Sequence, residues 1–436
     1  MKNFLLSLST LLLPFVSGTV AFASSQIAHW TTDNGARVYF VETHQIPMVQ
    51  LTLGFDAGSA RDPVSLPGLS GMVKSMLEEG AGDMGADMIS DGFESVGAEY
   101  SAGSGRDSAI FELRSLSERA ILDQAVDVFG KVIRQPSFPP DAMERIRERT
   151  LIGLKRTEQS PQGVISRAFY GALYKDHPYG HSPLGEEESV RRITRQDLVN
   201  VHREFYVGEN AVVVIVGALP PEQARARAAE VVGSLPPGKK PLPVPEVSGA
   251  NVPETVTKSF PSSQTHLLMG QVGIARDDPD FFPLYVGNYI LGGNGLISRL
   301  ATTIREDRGL AYSVYSAFSP MKQRGPFVIN LQTRNDQADL AEELSIDVLR
   351  QFIDTGPDPA ELEAAKGNII GGFPLRLSSN GKIASNVLSI AFYGLPLDYL
   401  DTYSERIEAV DLEQIKSAFR RRVLPGRFLT VRVGGG

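Results

Sequence analysis

The stretch Gly292-Gly293-Asn294-Gly295-Leu296-Ile297-Ser298-Arg299-Leu300-Ala301-Thr302-Thr303-Ile304-Arg305-Glu306-Asp307-Arg308-Gly309-Leu310-Ala311-Tyr312-Ser313 runs through a turn, a helix and the start of a strand. The glycine-rich opening is a turn, and Leu296, Ile297, Leu300, Ala301 and Ile304 then follow helical spacing up to a charged run that stops at Gly309. From Tyr312 to Phe318 the residues favour a strand. Arg305 therefore belongs to the last helical turn and Tyr312 lies just past the reversal, so the two side chains can converge. A guanidinium fork beside a phenol could hold a carbonyl or carboxylate oxygen, as peptide binding or oxyanion stabilisation requires. The plainer reading makes Arg305 a cation at a helix C-terminus and Tyr312 a half-buried strand aromatic.

Working outward, the same pattern occurs earlier. Glu94-x-x-Gly97-x-x-Tyr100-Ser101 matches Glu306-x-x-Gly309-x-x-Tyr312-Ser313, Asp141-Ala142-Met143-Glu144 matches Asp358-Pro359-Ala360-Glu361, and Phe169-Tyr170-Gly171 matches Phe392-Tyr393-Gly394. Ordered matches in both halves indicate a duplicated domain. Each half mixes strands with long helices, so the expected fold is α+β, with two homologous domains, each a mixed β-sheet packed against several long helices.

Residues 1–23 read as a secretory signal, from Lys2 through the apolar run Leu5 to Val16 to Ala21-Phe22-Ala23, which places the mature chain in a periplasm. The expected divisions are then 24–235 for the first domain, 236–250 for a proline-rich linker and 251–436 for the second domain. No later stretch has the roughly 20 consecutive apolar residues of a membrane span. The chain has no cysteine, which excludes disulfides and thiolate metal sites. A formal charge of −8 argues against nucleic acid as a partner.

In the first half, Arg37 to Glu42 and Val49 to Phe55 read as a hairpin-like strand pair, and Ala211 to Val216 as a strand buried on both faces. Between them, Leu69, Met72, Val73, Met76 and Leu77 form one helical stripe, which leaves Gly71, Lys74 and Ser75 together on the other face. After Pro139-Pro140, Asp141 and Glu144 give a capping-box-like start to a second helix expected through about Thr157.

These features, with the loop His177-Pro178-Tyr179-Gly180 and the signature from Ser298 to Ser313, resemble the inverted-zinc-motif metallopeptidases: pitrilysin, insulin-degrading enzyme and mitochondrial processing peptidase. The resemblance covers nearly the whole mature chain. It implies a His-x-x-Glu-His motif on the first-half helix, two histidines binding zinc and the glutamate acting as base, with a glutamate from a later helix as third ligand. This chain departs from that pattern. The five motif positions are Gly71, Met72, Val73, Lys74 and Ser75, and Lys155 falls at the third-ligand position. Glycine offers no donor and serine a poor one, while each lysine would repel a divalent ion by about 8 kcal/mol at 4 Å and an effective dielectric near 20. His177 and His181 lie in a loop without an acidic partner at metal-ligand spacing, and no Gly-x-Ser-x-Gly elbow or P-loop is present.

Members of this size pair around an enclosed chamber, one subunit bearing zinc and the other the Arg/Tyr pair. The resemblance thus implies a chain without its own metal or cofactor, a zinc-bearing homologous partner in a heterodimer, and a peptide substrate. Arg305 and Tyr312 would act in the partner's site, and Gly292, Gly293 and Gly295 would guide substrate. The rivals are a structural scaffold subunit and a stand-alone peptide-binding or chaperone-like module.

Overall fold

A computed structural model describes residues 27–247 and 253–435. The signal-peptide reading lies outside the described residues.

Two mixed sheets share one strand order. The first runs Ala28–Thr31, Arg37–Glu42, Ala211–Gly217, Met48–Phe55, Ala109–Leu116 and Glu99–Ser104; the second runs Glu254–Lys258, Leu429–Val433, Gln264–Val272, Pro326–Arg334 and Ala311–Phe318. From Arg37–Glu42 and from Glu254–Lys258 onward the orders coincide strand for strand. In each sheet one parallel pair sits among antiparallel ones. Duplication is therefore visible in topology as well as in the spaced sequence matches.

Arg37–Glu42 and Met48–Phe55 are both strands, but they are not a hairpin pair. Ala211–Gly217 lies between them, parallel to the first and antiparallel to the second. All seven of its residues are buried, and a run apolar on both faces is stable only in a sheet's interior. The chain therefore separates two sequence-adjacent strands and inserts this one.

One helix is exchanged between the halves. Pro161–Tyr174 packs on the second sheet, with Ile165, Phe169 and Leu173 against Leu268, Val272 and Val431. In return, Asn380–Tyr393 packs on the first, with Ala384, Val387 and Leu388 against Val212, Val214 and Val216. A glycine at the same place in each central strand makes the approach possible. A Cβ on Gly54 would lie 2.8 Å from Leu388 Cδ1, and one on Gly270 3.1 Å from Phe169 Cζ.

The segment after the glycine-rich turn differs from the regular helix expected there. Leu296 and Ile297 are about two-thirds exposed, at 68% and 65%, because Asn294 Oδ1 accepts from both of their amides and holds the chain in a turn. Helical structure begins after Ser298, and Ala301–Glu306 is a π-helix, with Asp307 N donating to Thr302 O at 2.9 Å. Gly309 then reverses the chain at φ 61°, as Gly97 does at φ 63° in the first half. Residues 236–247 have no regular secondary structure.

Candidate functional site

The helix Leu69–Met76 buries Leu69, Met72, Val73 and Met76, which leaves Gly71, Lys74 and Ser75 half-buried on the opposite face. Its N-terminus is held by Asp62, whose Oδ2 accepts from Gly68 N at 2.7 Å and Oδ1 from Ser70 N at 2.8 Å. Burial pushes the Asp62 carboxyl up to about 6, outweighing those hydrogen bonds, which act to lower it. A raised folded-state value means the group stabilises the fold fully below its ordinary 3.8 and loses that contribution as pH rises through 6. Urea midpoints should therefore be higher at pH 5 than at pH 7.5, and Asp62→Asn should shrink that difference. An unchanged difference would remove Asp62 as its source.

Burial also lowers the Lys74 ammonium, partly offset by Glu78 one turn on, while Arg149 acts in the same direction as burial. Arg149 lies on the helix Pro140–Glu158, as does Lys155. Lys155 is exposed and its charge is felt by Glu187, whereas Arg149 is within electrostatic range of Lys74 and Glu78. A Cβ on Gly71 would meet only Pro183 O, at 3.1 Å, so the glycine leaves space without a donor. Among the described residues no three His, Cys, Asp or Glu side chains cluster as a metal site. A zinc ion does not fit a set composed of a glycine, an ammonium and a hydroxyl beside a second cation.

In the second half, Arg305 is turned onto the glycine-rich loop. Its Nη1 donates to Gly295 O at 2.7 Å, and its Nη2 to Leu296 O at 3.0 Å and to Glu306 at 2.8 Å. Tyr312 is 88% exposed. It sits in a bulge between Ala311 and Val314, on the edge strand of its sheet, and is not hydrogen-bonded to Arg305. The structure thus sets the pair at two ends of one reversal with the guanidinium already engaged. Gly292 is packed too closely for a side chain, since a Cβ would fall 2.4 Å from Ser316 Oγ; Gly295 faces open space, and a Cβ on Gly293 would crowd Asn288 Nδ2 at 2.9 Å. In the first half, Phe93 and Tyr100 stack at 5.4 Å where Arg305 and Tyr312 stand in the second.

A buried polar junction between the halves carried no motif of its own. Asp107 Oδ1 accepts from the Tyr179 hydroxyl at 2.5 Å, and Oδ2 from Lys322 N at 2.8 Å and the Tyr393 hydroxyl at 3.2 Å. Tyr179 Oη accepts from Gln323 N at 3.0 Å. Beside it, Asp56 receives both arms of Arg61, at 2.7 and 2.6 Å, and Lys322 Nζ at 2.5 Å. His177 Nε2 donates to Pro245 O at 2.8 Å while Nδ1 accepts from Tyr179 N, so the His177-Pro178-Tyr179-Gly180 loop is tied to the proline-rich segment, and through Tyr179 Oη and Gln323 N to the second half. Its only advance signals were that loop and the Phe-Tyr-Gly match ending near Tyr393.

Comparison with known proteins agrees with this architecture. Residues 37–187 match the family model described as Insulinase (Peptidase family M16), and residues 192–369 match the one described as Peptidase M16 inactive domain. A Bacillus subtilis protein named "Uncharacterized zinc protease YmxG" is 25% identical over 91% of this chain and 95% of its own length. The Helicobacter pylori "Non-peptidase homolog YmxG" is 26% identical over 95% and 94%. A crystal structure of a peptidase M16 inactive domain from Pseudomonas fluorescens superposes with a TM-score of 0.91 at 36% identity, covering 94% of this chain and 98% of that one. The periplasmic protease PqqL from Escherichia coli shares the fold at 16% identity and a TM-score of 0.79, over 95% of this chain and 46% of that one.

Proposed function

Because this chain belongs to the M16 (insulinase/pitrilysin) peptidase family, we propose that it is a zinc-free, catalytically silent subunit that lends Arg305 and Tyr312 to a zinc-bearing homologous partner for peptide hydrolysis. One observation supports the reading: the helix face that the resemblance aligns with the metal motif carries Lys74, with Arg149 in electrostatic range, and no cluster of metal-ligating side chains among the described residues, while the sequence has Arg305 and Tyr312 at the spacing of the second-half signature. A peptidase working alone has no use for that combination. The name of the Helicobacter relative, a non-peptidase homolog, supports the silent half of the proposal. The signal-like segment from Lys2 to Ala23 and the periplasmic description of PqqL support a periplasmic setting.

Arg305 and Tyr312 have the donors a peptide carbonyl oxygen needs as charge builds on it. The Gly295 and Leu296 carbonyls hold the guanidinium until substrate displaces them, which gives the glycine-rich loop its guiding role. The edge strand Ala311–Phe318 offers unpaired backbone to an extended peptide.

The test mixes the purified chain with a zinc-bearing homologue from the same organism and follows peptide cleavage. Activity in the mixture and in neither component supports the proposal. Co-purification without activity supports the scaffold reading, and peptide affinity without a partner supports the stand-alone module.

A further inference from the structure

The helix Phe281–Asn288 borders a cavity of about 290 Å³ that shares Gly293 with the glycine-rich turn but none of Arg305, Tyr312, Gly71, Lys74 or Ser75. Ile274, Leu284 and Phe318 give it an apolar lining. Phe281 and Tyr285, also in that lining, are stacked in parallel, with centroids 5.9 Å apart and planes 5° from each other. A guanidinium flanks each ring, Arg276 at 4.3 Å from the Phe281 centroid and Arg376 at 5.7 Å from that of Tyr285. The ladder Arg276, Phe281, Tyr285, Arg376 fixes two cations around an aromatic wall.

Arg276 is half-buried and Arg376 exposed, and the side-chain acceptors they meet are neutral hydroxyls. Arg376, which lines the cavity, donates to the hydroxyls of Tyr285 and, at 3.4 Å, Tyr403. Arg276 donates to the Tyr399 hydroxyl at 3.2 Å, and its Nη1 is buried without a hydrogen-bond partner. The other polar pair in the lining is closed on itself: Ser316 Oγ donates to Asn288 Oδ1 at 2.7 Å, and Asn288 Nδ2 donates to Ser316 O at 3.0 Å. A ligand therefore meets apolar surface and a guanidinium whose hydroxyl acceptors are neutral and single-point; a carboxylate adds an opposite charge and two parallel acceptors that a phenol lacks.

We propose that this cavity binds an apolar group of about phenylalanine size that carries a carboxylate, presented either by the C-terminal residue of a peptide or by a free aromatic acid. The volume lies just under the roughly 300–1,000 Å³ range of drug-sized ligand sites, which suits one ring rather than a longer segment. The site needs no second subunit, so it stands or falls separately from the partner proposal.

Calorimetry on the mature chain would use three probes: a short peptide ending in a free Phe carboxylate, the same peptide amidated, and 3-phenylpropanoate. The peptide acid or the free acid should bind at least tenfold tighter than the amide, and which of the two binds better identifies the source. Arg376→Gln should weaken binding tenfold or more, and Ala317→Phe, which fills the cavity and leaves both arginines, should abolish it. Amide binding equal to acid binding, or no acid binding up to millimolar concentration, overturns the proposal. Both of those outcomes are read on the unaltered chain, so they hold even if a variant fails to fold.

Discussion

Replacing Arg305 and Tyr312 together with alanine is expected to lower peptide turnover by the mixed complex about 10²- to 10³-fold, with the complex's zinc content unchanged. That is the usual loss when donors aimed at a developing oxyanion are removed. The two donors would act on one oxygen, so the double variant should fall little further than the worse single one. Tyr312 makes the cleaner single test. At 88% exposed it contributes little packing, and Tyr312→Phe removes only the hydroxyl. Arg305→Ala also frees the carbonyls of Gly295 and Leu296, so its effect includes a looser glycine-rich loop. Full turnover in the double variant would leave the pair as the plainer reading has it, a loop clamp and an exposed aromatic.

The second large effect concerns stability. Asp107→Ala strands the Tyr179 hydroxyl, the Lys322 amide and the Tyr393 hydroxyl in a buried junction, and should cost about 3 to 5 kcal/mol. Tyr393→Phe removes one long hydrogen bond there and should cost about 1 kcal/mol. Urea unfolding of both variants measures the contrast, and an Asp107→Ala chain within about 1 kcal/mol of wild type would show that the junction does not hold the halves together. The neighbouring Asp56 adds a pH signature. Burial pushes its carboxyl up, but Arg61 and Lys322 overcome this and hold it below its ordinary 3.8. A depressed folded-state value makes its contribution intact above about pH 4 and lost as the pH falls further. Asp56 and Asp62 therefore act in opposite directions and in separate pH ranges.

Much of this molecule can be read from local pattern. The duplication is visible in spaced matches, and the apolar period of Leu69 to Leu77 places Gly71, Lys74 and Ser75 on one face, as the structure has them. The run Ala211 to Val216 shows burial on both faces. What period cannot supply is the identity of the covering element. Phe169 and Leu388 each pack on the sheet of the other half, because a helix stripe specifies an apolar partner and not which one. The turn at Leu296 and Ile297 was hidden for a related reason: their spacing is helical, and one Asn294 side chain overrides it. Nor does anything in the sequence signal that Arg149, less than two turns from Lys155 on one helix, is in electrostatic range of Lys74, which spacing without contacts does not resolve. The Asp107 junction joins residues from four separate segments; two of them show in the sequence, as the His177–Gly180 loop and the Phe392–Gly394 match, but nothing in either says that they meet.

The central claim is that this polypeptide holds no catalytic ion of its own. Elemental analysis of the purified, tag-free chain after dialysis against zinc tests it most directly. The account predicts zinc far below one equivalent and no chelator-sensitive cleavage of peptides by the chain alone; one tightly held equivalent, with proteolysis that a chelator abolishes, would contradict it.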